Sequence, residues 1–143
     1  MESSNATPKD VESLDTIIHA LYEVISGPKG QPRDWVRYRS LFAPEARSIL
    51  AVVRKDGPPR LRFLDVDEYI ARVEPIFQSE DFWEVETRRT SEVVGNVAHV
   101  LSYYESRRTE HGAPFTSGAN SMQLFHDGTR WWFVSVMWNT ERG

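Results

Sequence analysis

The sequence predicts an α+β domain in which helices precede a meander of long strands, and three features carry that expectation. Apolar residues recur at spacings of three and four through much of the first half, between Val11 and Phe77. From Phe82 to Asn139 the pattern changes to long segments of alternating character. The breaks between those segments, Gly95-Asn96, 110–113 and Asp127-Gly128-Thr129, are short enough to force antiparallel neighbours. With 143 residues the chain has the length of one core, read as a loose polar tail over 1–8 and a single domain over 9–143.

Each element has its own signal. Val11, Leu14, Ile17, Ile18, Leu21, Val24 and Ile25 make one apolar stripe of a first helix, with Thr7 or Asp10 to cap it and Gly27-Pro28 to end it. Asp34 opens a shorter helix carrying Trp35, Tyr38, Leu41 and Phe42, which Pro44 closes. Residues 47–54 hold the β-branched run Ile49 to Val53, too short for a globular helix and read as a strand. The turn Lys55-Asp56-Gly57 folds it into a hairpin with Arg60 to Leu64, where alternating arginines mark a solvated edge. Asp65 or Asp67 caps a third helix that runs to Gln78 on a face of Tyr69, Ile70, Val73, Ile76 and Phe77, with Pro75 straining or shortening its last turn. Four strands follow: 82–94, 97–109, 114–126 and 130–139.

Composition narrows the function classes. Seventeen basic and 21 acidic side chains give a net charge of -4, which supplies no overall field for nucleic acid or anionic lipid. The absence of cysteine excludes disulfides, thiolate metal sites and a cysteine nucleophile, and fits a reducing compartment. No apolar run approaches a membrane span, and Met1 to Asp10 lacks the pattern of a signal peptide, so the expected location is cytoplasmic. No glycine-rich phosphate loop, dinucleotide fingerprint or nucleophile elbow occurs.

Alternation assigns the two faces of each long strand. In 97–109, Ala98, Val100, Ser102 and Tyr104 suit the core, leaving His99, Leu101, Tyr103, Glu105 and Arg107 outside. In 114–126, Asn120, Met122 and Leu124 face inward against Ser121, Gln123 and Phe125. The last strand sets Trp131, Phe133, Ser135 and Met137 against Trp132, Val134, Val136 and Trp138, both strongly apolar. Both sides then need cover, because monomers seldom expose so large an apolar patch. A homodimer through the outer face (Leu101, Tyr103, Phe125, Trp132, Val134, Val136 and Trp138) is the expected solution; the alternative is a bend or tail hiding these residues within a monomer.

The order of elements resembles the nuclear transport factor 2-like superfamily, a cystatin-like cone of curved antiparallel sheet around helices and a pocket. Leu41-Phe42-Ala43-Pro44-Glu45-Ala46 is similar to the helix-to-strand junction of that superfamily, and Asp127, Gly128, Trp131 and Trp132 to its approach to the final strand. Gly95, Ala98, Val100, Ser102, Tyr104, Glu105, Ser106 and Arg107, with Gly118, Asn120 and Ser121, resemble small bacterial members without an assigned function. The likeness spans roughly 10–140. Its members include isomerases, dehydratases, polyketide cyclases, dioxygenase small subunits and assembly modules, so it implies a fold and a pocket without choosing a chemistry. The base and tyrosine of a ketosteroid isomerase would fall near Leu50 and Ala20, neither of which can do that work.

The residues that remain for chemistry are few. His19, His99, His111 and His126 are scattered, and His19 with Glu23 lacks further ligands, so no metal and no cofactor are expected. Inward polar groups are the candidates. Tyr104 and Asn120 can orient a small organic ligand among Trp35, Tyr38, Phe77, Ser102, Trp131, Phe133, Ser135 and Met137. Each also has a purely structural reading: serines as fillers, Tyr104 bonded to a carbonyl, Asn120 to a neighbouring strand, Asp34 as a helix cap. Arg88, Arg89, Arg107 and Arg108 interleave with Glu84, Glu86, Glu92, Glu105 and Glu110, which reads as cross-strand ion pairing. The leading expectation is a small-molecule-binding domain with a mainly apolar pocket. A cofactor-independent isomerase, dehydratase or cyclase with Asp34 as base and Tyr38 or Tyr104 as donor is the alternative, and a non-catalytic assembly module the third.

Overall fold

The computed structural model describes residues 8–140, so residues 1–7 of the expected tail lie outside the described residues. Pro8–Val11 form a short 3-10 turn. Three α-helices and six strands follow: α1 (Leu14–Ile25), α2 (Trp35–Ser40), β1 (Phe42–Val52), β2 (Arg60–Leu64), α3 (Val66–Ser79), β3 (Trp83–Val94), β4 (Val97–Arg107), β5 (Pro114–His126) and β6 (Trp131–Thr140). The strands form one curved, open sheet in the order β2-β1-β6-β5-β4-β3. Every neighbouring pair is antiparallel except β1 with β6, which run parallel, so the sheet is mixed where an antiparallel one was expected. The meander brings β6 back beside β1, and the long intervening chain satisfies the wide connection that parallel neighbours require.

Local chemistry sets the helix ends. Ser13, rather than Asp10, caps α1: its hydroxyl accepts the Thr16 N–H at 3.1 Å and the Thr16 hydroxyl accepts the Ser13 N–H at 3.1 Å, while the other expected cap, Thr7, lies outside the described residues. Asp10 instead binds the Arg37 guanidinium at two points, 2.9 and 3.0 Å. Asp65 and Glu68 make the same reciprocal cap on α3. Pro75 lies inside α3, which continues past it to Ser79. Helix α2 stops at Ser40, so Phe42 belongs to β1 and Pro44 sits within that strand, correcting the expected helix end. The β1–β6 register breaks there, passing from Phe42 opposite Phe133 to Arg47 opposite Ser135, which is where a residue without an N–H is tolerated.

The core lies between the helices and the concave face of the sheet. Ile17, Ile18 and Leu21 of α1 are buried, as are Val100 of β4, Met122 and Leu124 of β5 and Phe133 of β6. Each such side chain contributes on the order of 1.5–3 kcal/mol by leaving water. The inward and outward sets of β4 and β5 follow the alternation given above.

In β6 the alternation breaks. Leu124 pairs with Phe133 and Gln123 with Ser135, so Val134 is an extra residue, a β-bulge that reverses the phase of the strand. Trp131 and Phe133 face inward before it; Val136 and Trp138 pack into the core after it, and Ser135 and Met137 turn outward. The expected inward placement of Ser135 and Met137 and the expected outward placement of Val136 and Trp138 are both corrected by this one residue. A second bulge at Thr87 acts on β3: Arg88 pairs with Tyr103 but Glu86 with Tyr104, so Glu86 and Glu84 join the inward phase of Tyr104 and Ser106.

Candidate functional site

The helices do not fill the concave face completely. A half-enclosed cavity of about 190 Å³ remains between α1, α2, α3 and the sheet, somewhat larger than the ~150 Å³ void known to accommodate benzene in an engineered protein. Its walls are largely apolar: Leu21 and Ile25 from α1, Val73 and Phe77 from α3, Val136 and Trp138 from β6. Aromatic rings brace it. Tyr38 and Tyr69 stack at 5.3 Å, Trp138 meets Tyr69 edge-on at 6.1 Å, and Phe77 stacks between Trp35 and Phe82 at 6.2 and 5.1 Å.

The polar lining consists of Tyr38, Ser48, Tyr69, Glu84, Tyr104 and Asn120. Glu84 is the unusual member. Its carboxylate accepts one long hydrogen bond, from the Ser106 hydroxyl at 3.3 Å. Among the described residues the arginine–carboxylate bridges of β3, β4 and the turn after β4 go elsewhere: Arg89 to Glu86 and Asp15, Arg107 to Glu105, Arg108 to Glu80. Burial without a cation pushes the Glu84 carboxyl up to about 7. The Tyr22, Tyr38, Tyr69 and Tyr104 phenols all feel its charge. All four are raised, chiefly by burial, Tyr104 to about 12, so each stays protonated and able to donate at neutral pH.

The tyrosines differ in how they are held. The Tyr38 hydroxyl interacts with the neighbouring side chains of Ser48 and Tyr69. The Tyr104 hydroxyl makes no hydrogen bond among the described residues; its ring lies over Gly118, where an added Cβ would come within 2.7 Å of the phenolic oxygen. Asn120 donates from Nδ2 to the Tyr22 hydroxyl at 3.0 Å, Tyr22 lies 2.7 Å from the Ser102 hydroxyl, and Ser102 donates to Glu86 at 2.6 Å. Arg89 clamps Glu86 from its other side. Glu84 also borders a wider, more polar groove between α1 and β3 that includes His19, Tyr22 and Glu86.

Of the residues expected at the site, the structure brings Tyr38, Phe77, Tyr104 and Asn120 to the cavity wall. Trp35 stands behind Tyr38 and Phe77. Ser102 is fully buried beneath Asn120 in the hydrogen-bonded chain, and Phe133 is core packed on Phe42. Trp131 packs on the core beside His126 without lining the cavity. Ser135 and Met137 are on the other face, for the reason given above. Asp34 is exposed and caps α2 through the Arg37 N–H at 3.0 Å, away from the cavity. The sequence reading passed over Ser48, Tyr69, Glu84, Val136 and Trp138, and also the apolar Leu21, Ile25, Phe42, Val73, Ile76 and Phe82 of the wall. Tyr69 stood on the predicted face of α3, whereas Glu84, Val136 and Trp138 reach the cavity only through bulges. Among the described residues no three His, Asp or Glu side chains gather as a metal set.

No protein-family model and no curated protein matches this chain. Solved structures do. A cystatin-like protein of unknown function from Nostoc punctiforme superposes with a TM-score of 0.65 at 10% identity, over 88% of this chain and 86% of that one. A nuclear transport factor 2-like protein of unknown function from Pseudomonas putida gives 0.65 at 11% identity, over 88% and 82%. One from Silicibacter pomeroyi gives 0.58 at 16% identity, over 87% and 90%. The fold is the nuclear transport factor 2-like cone. At these identities the likeness reaches no further than the fold, and the cone's functions must be argued from the residues that line it.

Proposed function

We propose that this nuclear transport factor 2-like chain binds a small, mainly apolar organic molecule inside the cone, its polar end directed to Glu84, Tyr104 and Asn120. The observation that carries the reading is a largely apolar cavity whose polar groups lack full partners among the described residues: Glu84 has no cation there and Tyr104 no hydrogen bond. Burying such groups costs about 1–3 kcal/mol each unless something satisfies them, and a ligand or water in the cavity does. Single-ring aromatics match the volume. Thermal melts with such compounds should show saturable stabilisation, about 2.7 kcal/mol at a hundredfold excess over Kd. Val73→Trp, which blocks the cavity from α3, should abolish it; equal shifts in both proteins would overturn the proposal.

Glu84 favours an enzymatic second reading, a cofactor-independent isomerase, dehydratase or cyclase. A carboxyl at about 7 is present in both protonation states at neutral pH, as proton transfer to and from carbon or oxygen requires. Glu84 takes the role that Asp34 cannot reach. Exchange of the α-protons of cyclohexanone for deuterium, followed by NMR, tests this: Glu84→Gln should slow it by 10²-fold or more, and equal exchange in both proteins would remove the reading.

The outer sheet face supports a homodimer with a revised patch. Val136 and Trp138 leave it; Met137 enters, joined by Ile49, opposite it on β1, and by Leu61 and Phe63 of β2, which are 55% and 58% exposed. Leu101, Tyr103, Phe125, Trp132 and Val134 stay on that side. A two-fold contact covers the same patch on both copies. Sedimentation velocity at micromolar concentration should give a dimer; a clean monomer would refute it, and a heteromeric complex recovered with purified partner would favour the assembly-module reading.

A further inference from the structure

The chain of hydrogen bonds behind Asn120 fixes something that the cavity wall alone does not. Its outer end is a carboxylate, Glu86, held by Arg89, and a carboxylate so paired can only accept. Ser102 has one hydroxyl proton and gives it to Glu86. The Tyr22 hydroxyl, 2.7 Å from Ser102, therefore donates to the Ser102 oxygen. The Tyr22 oxygen is left needing a donor, and the Asn120 Nδ2–H supplies it at 3.0 Å. Charge at one end thus orients every group to the other, and turning the Asn120 amide over would set two acceptors against each other. Asn120 is 6% exposed and lines the cavity, and its Oδ1 takes no hydrogen bond among the described residues.

We propose that Asn120 presents its amide oxygen to the cavity as a fixed hydrogen-bond acceptor, so that the site selects a small phenol or alcohol over its alkylated counterpart. This rests on the small-molecule reading above. Ser102 and Tyr22 are then positioning residues: neither lines the cavity, and both act through the orientation of Asn120.

The experiment is calorimetric titration of wild type, Ser102→Ala and Tyr22→Phe with 4-ethylphenol and 4-ethylanisole. Wild type should prefer the phenol by about tenfold, the worth of one buried hydrogen bond. Ser102→Ala frees the Tyr22 proton to turn toward Asn120, the amide reverses, and the preference should fall to within twofold while the anisole still binds. Tyr22→Phe, which removes the link and is the check should Ser102→Ala not fold, should lose the preference as well. A purely structural effect of either substitution would weaken both probes together and leave their ratio intact. Binding of neither probe to wild type overturns the cavity reading and this inference with it. Binding of both within twofold overturns donor selection alone. A tenfold ratio that persists in the variants shows that the chain does not set the amide, and overturns the proposal.

Discussion

The two faces of the sheet carry similar chemistry and meet different fates. On the concave side, Leu124 and Phe133 are sealed under the helices and the leftover space becomes a cavity. On the convex side, Leu61, Phe63 and Met137 are exposed, with none of the described residues sealing them from solvent. Composition does not separate the faces, since both halves of the alternation in β6 are apolar. What separates them is the position of two extra residues, Val134 and Thr87, each of which moves everything beyond it across the sheet. The chemical character of the concave face, Glu84 and Trp138 above all, is thus a product of backbone irregularity.

The most direct way to break that distinction is to delete Val134. Strict alternation would return, driving Val136 and Trp138 outward and Ser135 and Met137 into the core. The expected loss in urea unfolding is at least about 3 kcal/mol, the scale of removing a large core side chain; a deletion that melts like wild type would show that β6 tolerates either phase.

Glu84 sharpens the comparison through pH. Its carboxyl is raised from the ordinary 4.5 to about 7, so between those values the folded chain holds a proton that the unfolded chain has released. Stability contributed by the neutral form is fully present below about 4.5 and lost as pH rises through 7. Ser106 and the four tyrosines do not change charge in that window. The ionisable groups of the adjoining groove, His19, Glu23 and Glu86 among them, are common to wild type and Glu84→Gln, so the difference between the two proteins isolates Glu84. Wild type should therefore be weaker at pH 8 than Glu84→Gln, by up to about 3 kcal/mol, and equal to it near pH 4.5. Parallel stability curves for the two proteins would remove the buried charge from the account.

The smallest effect is expected outside. Phe63→Lys should change the unfolding free energy of the monomer by no more than about 0.5 kcal/mol, while sedimentation shifts from dimer to monomer. A large loss of monomer stability would mean that the convex face is core after all.

Most of the architecture was legible because helix periodicity and short turns leave little choice: the stripe of α1, the apolar face of α3 and the Gly95-Asn96 turn each admit one reading, whereas the α3 cap was left between Asp65 and Asp67. The inward sets of β4 and β5 were legible too, since alternation holds across the stretch that meets the helices. The site was readable only in part. Tyr38, Phe77, Tyr104 and Asn120 lie on elements whose phase is regular, whereas Glu84 lies beyond Thr87, and Val136 and Trp138 beyond Val134. A bulge has no strong residue signature, and neither threonine nor valine announces one. Glu84 was also camouflaged by its neighbours, because Glu86, Glu105 and three arginines nearby do form ion pairs, although these run within one strand or to Asp15 and Glu80 and not across strands as expected.

Gly118 gives the Tyr104 ring its resting place, and that makes one backbone position a dial for the size of the chamber. Any side chain there would displace the phenol that now lies flat across the strand. A single codon change at that residue would thus reset how slim a molecule of the proposed kind must be to enter, without the residue ever touching it.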